Sequence, residues 1–239
     1  MSKLLFIGAT HGNEGFGVEA LTEIEATYDR ATYNYDWIIG NPRALEADVR
    51  FTETDLNRSA PGNSNSPNYE ERRAAEIVEL SKDYDAVIDV HGTVADCGLV
   101  TIIPNPTADN LALAKTIPLA RNVVWYAKES KVSGPITQHT FCPALEIECG
   151  PQKDPAIKEQ LKTVLGKILL ANIGRDFEPD VNQEYYEVYG SEQGAWNADY
   201  QDFQPVILGS ETFYPFLSSQ YEGITCYKMR KVTPQEVML

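Results

Sequence analysis

The sequence predicts an α/β protein: a mixed, mostly parallel sheet with helices on both faces, followed by a small β-rich C-terminal domain. Three observations carry this. Short apolar runs alternate with segments of helical period as far as residue 178. Two of those runs end almost at once in histidines, at the strand ends where open α/β sheets collect their ligands. Beyond residue 178 the texture changes to aromatic and β-branched runs, YYEVYG, QPVILG and ITCYKM, broken by Gly and Pro. The expected domains are therefore 1–178 and 179–239.

In chain order, residues 4–7 (LLFI) read as a buried strand that breaks at Gly8. Residues 15–28 place Phe16, Ala20, Leu21, Ile24 and Tyr28 at helical spacing. Residues 37–39 form the next strand, closed by Gly40, Asn41 and Pro42. Residues 41–58 have no clean period and are expected as a loop, with 60–67 (APGNSNSP) a polar surface segment. Ser66 before Pro67 predicts a helix start, and that helix runs to about Lys82. Its Ala74, Ile77, Val78 and Leu80 face inward, and Glu70, Glu71, Arg72 and Arg73 are expected on a solvated face. Residues 86–90, 99–103, 122–126 and 144–148 read as strands, and 107–115 as a short helix. The clearest helix is 154–173, capped by Asp154, opened by Pro155 and closed by Gly174.

Bulk properties narrow the function. At 239 residues with 43% hydrophobic and 23% charged, the chain suits one large domain or a main domain with an appendage. A net charge of −15 repels nucleic acid and anionic membrane surfaces, but leaves an anionic small-molecule substrate open, because local arginines can invert the potential within a cleft. No apolar segment approaches the roughly 20 residues that span a bilayer. The first apolar run is too short for a signal peptide. Four scattered cysteines without a CxxC pair fit a reducing compartment, so a cytoplasmic protein is expected, with a homodimer left open.

The chemistry gathers at HGNE. A glycine-rich turn after the first strand carries His11 and Glu14, two of the three protein ligands a catalytic zinc needs, and His91 after the strand at 86–90 would be the third. Such an ion acidifies water and polarises a carbonyl, and hydrolysis then requires a general base. Glu148, at the end of the strand at 144–148, is the first candidate, and Glu146 on the same strand face competes with it. Arg50 in the long loop suits a developing oxyanion, while Asn57 and Arg58 suit capture of a carboxylate and Asp55 orients them. Cys149 reads as a small core hydrophobe, since a nucleophile would need His139 beside it. Structural histidines, a small zinc carboxypeptidase acting on short peptides, and a non-catalytic metal- or metabolite-binding protein are the competing readings.

Together, HGNE at 11–14, NPRA at 41–44, the spacing from Arg50 to DLNR at 55–58, DVHGT at 89–93 and EIECGPQ at 146–152 resemble the succinylglutamate desuccinylase and aspartoacylase family, a branch of the zinc carboxypeptidase-like fold. The resemblance spans residues 3–152. It implies a zinc-dependent amidohydrolase that removes the acyl group of an N-acyl amino acid, with one Zn2+ on His11, Glu14 and His91 and a zinc-bound water activated by Glu148. It makes Arg50 the group that polarises the scissile carbonyl, and Asn57, Arg58 and Thr93 substrate contacts. It also implies a C-terminal β-rich domain that shapes the channel and sends in a tyrosine, here Tyr221. Gln138 stands ten residues before the catalytic glutamate, where aspartoacylases carry an arginine for a substrate carboxylate, which argues against N-acetylaspartate. The chain is also shorter than typical members, with the loss expected in surface loops and the C-terminal domain.

Overall fold

The computed structural model describes residues 1–126, 135–175, 182–195 and 199–239. The elements begin β1 (Leu4–Gly8), α1 (Phe16–Glu25), α2 (Arg30–Tyr33), β2 (Tyr35–Ile39), α3 (Pro42–Ala47) and α4 (Tyr69–Leu80). They continue β3 (Ala86–Gly92), β4 (Gly98–Ile103), α5 (Ala108–Thr116), β5 (Arg121–Val124), β6 (Ala144–Gly150) and α6 (Pro155–Asn172). The chain closes with β7 (Glu184–Gln193), β8 (Val206–Leu208), β9 (Glu211–Phe216), β10 (Ile224–Val232) and α7 (Pro234–Val237).

The ten strands form one sheet in the order β2-β1-β3-β6-β4-β5-β7-β10-β9-β8. Pairing is parallel from β2 through β1 and β3 to β6, antiparallel between β6 and β4, and parallel again along β4, β5 and β7. The β7-β10-β9-β8 end is antiparallel, as the aromatic texture led one to expect, and it continues the main sheet through the β5–β7 pair. The expected boundary at 178/179 lies outside the described residues.

The period-2 alternation of β1 explains the layers. Leu4 and Phe6 pack with Leu21, Ile24, Leu161, Leu165 and Leu169 beneath α1 and α6. Leu5 and Ile7 face the other way, against Ala74, Ile77 and Val78 of α4. Fully burying each such Leu, Ile or Phe contributes about 1.5–3 kcal/mol. A third cluster joins Val100, Ile102 and Val123 of β4 and β5 to Tyr186, Phe203, Phe216 and Met229, fastening the C-terminal strands to the sheet.

Four expectations need correction. Residues 41–58 are not loop throughout: α3 is capped by the Asn41 side chain, which accepts from the Ala44 N–H, and a 3₁₀ turn at Leu56–Arg58 is capped by Asp55. A six-residue helix is too short to display a period, although Asn-Pro was a readable cap. The helix expected from Ser66 starts instead at Tyr69, because Asn68 caps it and the Ser66 hydroxyl accepts from Asn68 N–H. The charge run at its start is not a solvated face, for Glu70 is fully buried. Short helices α2 and α7 were not expected at all.

Candidate active site

Parallel pairing builds the site at one sheet edge. His11 follows β1, His91 lies near the end of β3, and Glu148 of β6 stands directly beside His91 in the strand register. The turn after β1 bends sharply, with Ala9 at φ 54°, and lies tight on α3. A Cβ at Gly12 would come within 2.0 Å of the Ala44 carbonyl carbon, so only glycine fits there.

His11, Glu14 and His91 are all buried, and their donor atoms lie within 4.8 Å of one another. His11 Nδ1 is 2.8 Å from Glu14 Oε1, and His91 Nδ1 is 3.3 Å from Glu14 Oε2. The opposite ring nitrogens are each held by a carboxylate: His11 Nε2 lies 3.1 Å from Asp55 Oδ1, and His91 Nε2 lies 2.9 Å from Asp89 Oδ2. Both imidazoles therefore turn Nδ1 toward the Glu14 carboxylate while another carboxylate holds the ring from behind, the arrangement that orients and strengthens a metal ligand. A second acidic cluster, Asp89, His91 and Glu146, shares His91, but its Asp89 already accepts from the Thr10 hydroxyl at 2.9 Å. The donor set fits a divalent cation on His11, Glu14 and His91.

The protonation pattern supports that fit. Burial works against charge on every member, yet Glu14 and Asp55 raise the His11 pKa, and Asp89 and Glu14 hold that of His91 well above its usual value. Glu14 is itself held well below the usual carboxylate range by the two imidazoles, against its burial. A divalent cation at the Nδ1 atoms would take the place of those imidazole protons. Glu148 behaves oppositely: burial pushes its pKa up to about 8, with the Glu14 and Glu146 charges adding to the rise against His91.

These groups line one cavity of about 290 Å³. Of the residues singled out from sequence, His11, Glu14, His91, Glu148, Arg50, Asn57, Arg58 and Tyr221 all line it. Arg50 donates from Nε and Nη2 to Asp55 Oδ2 at 3.2 and 3.0 Å. Asn57 donates to Glu146 at 3.4 Å and accepts from the Ile136 N–H at 3.0 Å, while Arg58 Nη1 donates to the Asn57 carbonyl. Glu146 also accepts from the Thr137 hydroxyl, so it is engaged by its neighbours on the cavity wall. Apolar and aromatic side chains complete the lining, among them Ile102, Trp125, Leu217, Tyr221 and Tyr227, and the Trp125 and Tyr227 rings lie 4.4 Å apart. Burial raises the Tyr221 phenol to about 12, which keeps its proton in place as a donor.

Two expected substrate contacts stand back from the cavity. The Thr93 hydroxyl donates to Gln220 Oε1, and Gln138 donates from Nε2 to the Pro104 carbonyl at 2.7 Å. Each supports a residue that lines the cavity without lining it itself. Cys149 is buried and its thiol is pushed well above the ordinary value, the reverse of what a nucleophile needs. Sequence reasoning missed Asp89, although its signal was present: residues i and i+2 of a strand share a face, so DVH places a carboxylate beside the histidine.

Fold and site thus define an α/β protein with a carboxylate-backed His–Glu–His donor set and a glutamate at the carboxyl edge of its sheet. More narrowly, the chain belongs to the succinylglutamate desuccinylase/aspartoacylase family, since residues 1–170 match the model of the succinylglutamate desuccinylase/aspartoacylase catalytic domain. A probable aspartoacylase of Trichodesmium erythraeum is 33% identical over 126 residues, which cover 48% of this chain and 43% of that protein. Rattus norvegicus aspartoacylase is 31% identical over 209 residues, covering 75% of this chain and 66% of that one. The chain thus spans about half the length of the curated relatives it matches. The crystal structure of murine aminoacylase 3 superposes with a TM-score of 0.75 at 20% identity, covering 96% of this chain and 95% of that one. At that identity the likeness shows the fold. No helix among the described residues is long and apolar enough to cross a membrane.

Proposed function

We propose that the protein is a zinc-dependent amidohydrolase that cleaves the amide bond of an N-acyl amino acid. One observation carries the reading: a His–Glu–His donor set, Glu148 and Arg50 all open into a single cavity, with a carboxylate behind each imidazole. One Zn2+ per chain suits the two imidazoles and carboxylate of His11, Glu14 and His91. When bound, zinc acidifies a water and polarises a carbonyl.

The rest falls to the chain's own groups. Glu148 accepts the proton of the attacking water and returns it to the leaving nitrogen, and a carboxyl with a raised pKa suits both halves of that task. Arg50, held in place by Asp55, faces the oxygen on which negative charge develops. Asn57 and Arg58 bind a substrate carboxylate, and Tyr221 donates its phenolic proton into the same cavity. In this reading residues 1–178 supply the catalytic groups and 179–239 complete the substrate wall. Thr93 and Gln138 act at one remove, through Gln220 and Pro104. The names of the relatives, aspartoacylase and N-acyl-aromatic-L-amino acid amidohydrolase, agree on the bond broken and differ on the amino acid.

The test is amine release by zinc-loaded protein from acetylated and succinylated acidic, neutral and basic amino acids. Turnover is expected on at least one of them, and Glu148→Gln should lower it about 10²–10⁴-fold while retaining zinc. Release from short peptides alone would favour a carboxypeptidase. No turnover on any of these with zinc bound would favour a binding protein.

A further inference from the structure

The charged run at the start of α4 (68-NYEERR-73) carries a function that the reaction itself does not use. Glu70 is fully buried, and its two carboxylate oxygens collect donors from two separate stretches of chain. From the loop, Thr52 donates its N–H at 2.7 Å and its hydroxyl at 2.6 Å, Glu53 its N–H at 3.3 Å, and Thr54 its N–H at 3.4 Å. From the α3 cap, Asn41 donates Nδ2 at 3.3 Å. Three consecutive backbone N–H groups turned on one anion make a concave nest of the kind that holds phosphate in other proteins; here the anion is a side chain of the same chain. Burial alone would raise the Glu70 pKa, but the Thr52, Asn41 and Glu53 donors lower it, so the group stays ionised.

The grip is reciprocal. Glu53 Oε2 accepts the Tyr69 N–H at 3.0 Å, and the Thr54 hydroxyl donates to Asn68 Oδ1, so the loop caps the helix that holds it. One turn on, Arg73 donates to the carbonyls of Ile39 and Gly40 at 2.8 Å each. The start of α4 therefore holds both ends of the stretch from residue 39 to residue 54.

The place of the nest in the sequence matters most. Thr52, Glu53 and Thr54 lie between Arg50 and Asp55, and Asp55 is the residue that touches both Arg50 and His11 Nε2. We infer that Glu70 is a positioning residue: by holding three consecutive N–H groups of the loop, it sets where Arg50, Asp55 and Asn57 stand over the donor set. A loop's polar backbone can also be satisfied by water, so charge at residue 70 is not needed merely to close the chain. It is needed to select one loop conformation. This inference rests on the proposed function for its kinetic part and on the geometry alone for its structural part.

The experiment compares Glu70→Gln, which keeps the shape but turns an amide NH2 toward N–H donors, with Glu71→Gln on the same helical turn. Three readouts are taken: hydrogen exchange of backbone amides, zinc stoichiometry, and kcat and KM on the best N-acyl substrate and on its carboxamide analogue. Glu70→Gln is expected to speed exchange about tenfold or more in the peptide covering 51–58, leave that covering 86–92 protected, and still bind one zinc. Its kcat/KM should fall about 10–100-fold, mostly through KM, with the preference for carboxylate over carboxamide reduced. Glu71→Gln should change none of these. Unchanged exchange at 51–58 would overturn the inference whatever the substrate proves to be, and so would faster exchange spread evenly over the chain. Faster local exchange with kcat, KM and substrate preference intact would overturn the positioning role. If wild-type protein cleaves no N-acyl amino acid, the proposed function fails, and the exchange data still decide whether Glu70 sets the loop.

Discussion

Two loops line the cavity, residues 50–58 and 217–221, and they are built by opposite means. The first is wired by charge: Arg50 to Asp55, Asp55 to His11, Asn57 to Glu146. The second is set by backbone shape. Leu217 and Ser219 sit at φ 51° and 68°, in the left-handed region that non-glycine residues rarely enter, and the loop presents Leu217 and Tyr221 to the cavity. Gln220 ties it down by accepting from the Thr93 hydroxyl and, at 2.9 Å, from the Val94 N–H. Each loop also has a carboxylate behind it, Glu70 buried and Asp202 half-buried, and the contrast is sharpest there. Donors keep Glu70 below the usual carboxylate range. Asp202 accepts from the Leu217 and Ser218 N–H groups and the Ser218 hydroxyl, yet its burial, with the nearby Asp96 charge adding, raises its pKa. The first loop places charge; the second places shape.

The largest expected effect comes from cutting the wire of the first loop. Asp55→Asn removes the charge behind His11 Nε2 and the partner of Arg50 in one step. Zinc affinity should fall about 10–100-fold, measured by competition with a chelator. Amide hydrolysis at saturating zinc should fall further, because the guanidinium is released as well. Unchanged zinc affinity would erase the distinction between the loops, since the first would then also act only by shape.

A smaller effect is expected from the second loop. Tyr221→Phe removes one donor worth about 0.5–1.5 kcal/mol, roughly a 2- to 13-fold loss in kcat/KM, with zinc affinity untouched. A loss of zinc affinity would mean that the two loops are coupled through the donor set. A loss beyond about 100-fold would make the phenol a full partner in the chemistry.

The same contrast explains what could be read before the fold was known. Charged and imidazole side chains stand out by type, so His11, Glu14, His91, Arg50, Asn57, Arg58 and Glu148 could be singled out in the sequence, and the fold brings them to one cavity. Shape does not announce itself in this way. Nothing in LSSQY marks two positive φ angles, and no spacing indicates that Asp202, fifteen residues before Leu217, would accept its N–H. Glu70 was misread for a related reason: a charge run usually lies in solvent, and only the packing of a distant loop gives this carboxylate its donors. Gln138 and Thr93 differ again, since their side chains meet Pro104 and Gln220, which line the cavity.

The smallest effect tests a group that belongs to neither loop. His139 closes the 3₁₀ turn Ile136–Gln138, whose first N–H donates to Asn57, so it abuts the charge-wired side. Its Nε2 is buried without a hydrogen-bond partner among the described residues, and burial lowers its pKa from the ordinary 6.5. The unfolded chain then binds the proton more readily than the folded one. Stability should accordingly fall as pH drops below 6.5, level off beneath the folded pKa, and owe His139 no pH dependence above 6.5. The ring is partly exposed, which keeps the effect below about 1 kcal/mol. Thermal melts of metal-free protein between about pH 5 and pH 8 should show this slope, and His139→Gln should remove its share while His11 and His91, common to both proteins, cancel in the difference. If the slope is identical in the variant, the ring is solvated as it protonates. The turn beside Asn57 would then be loose, and the first loop would rest on Glu70 and Asp55 alone.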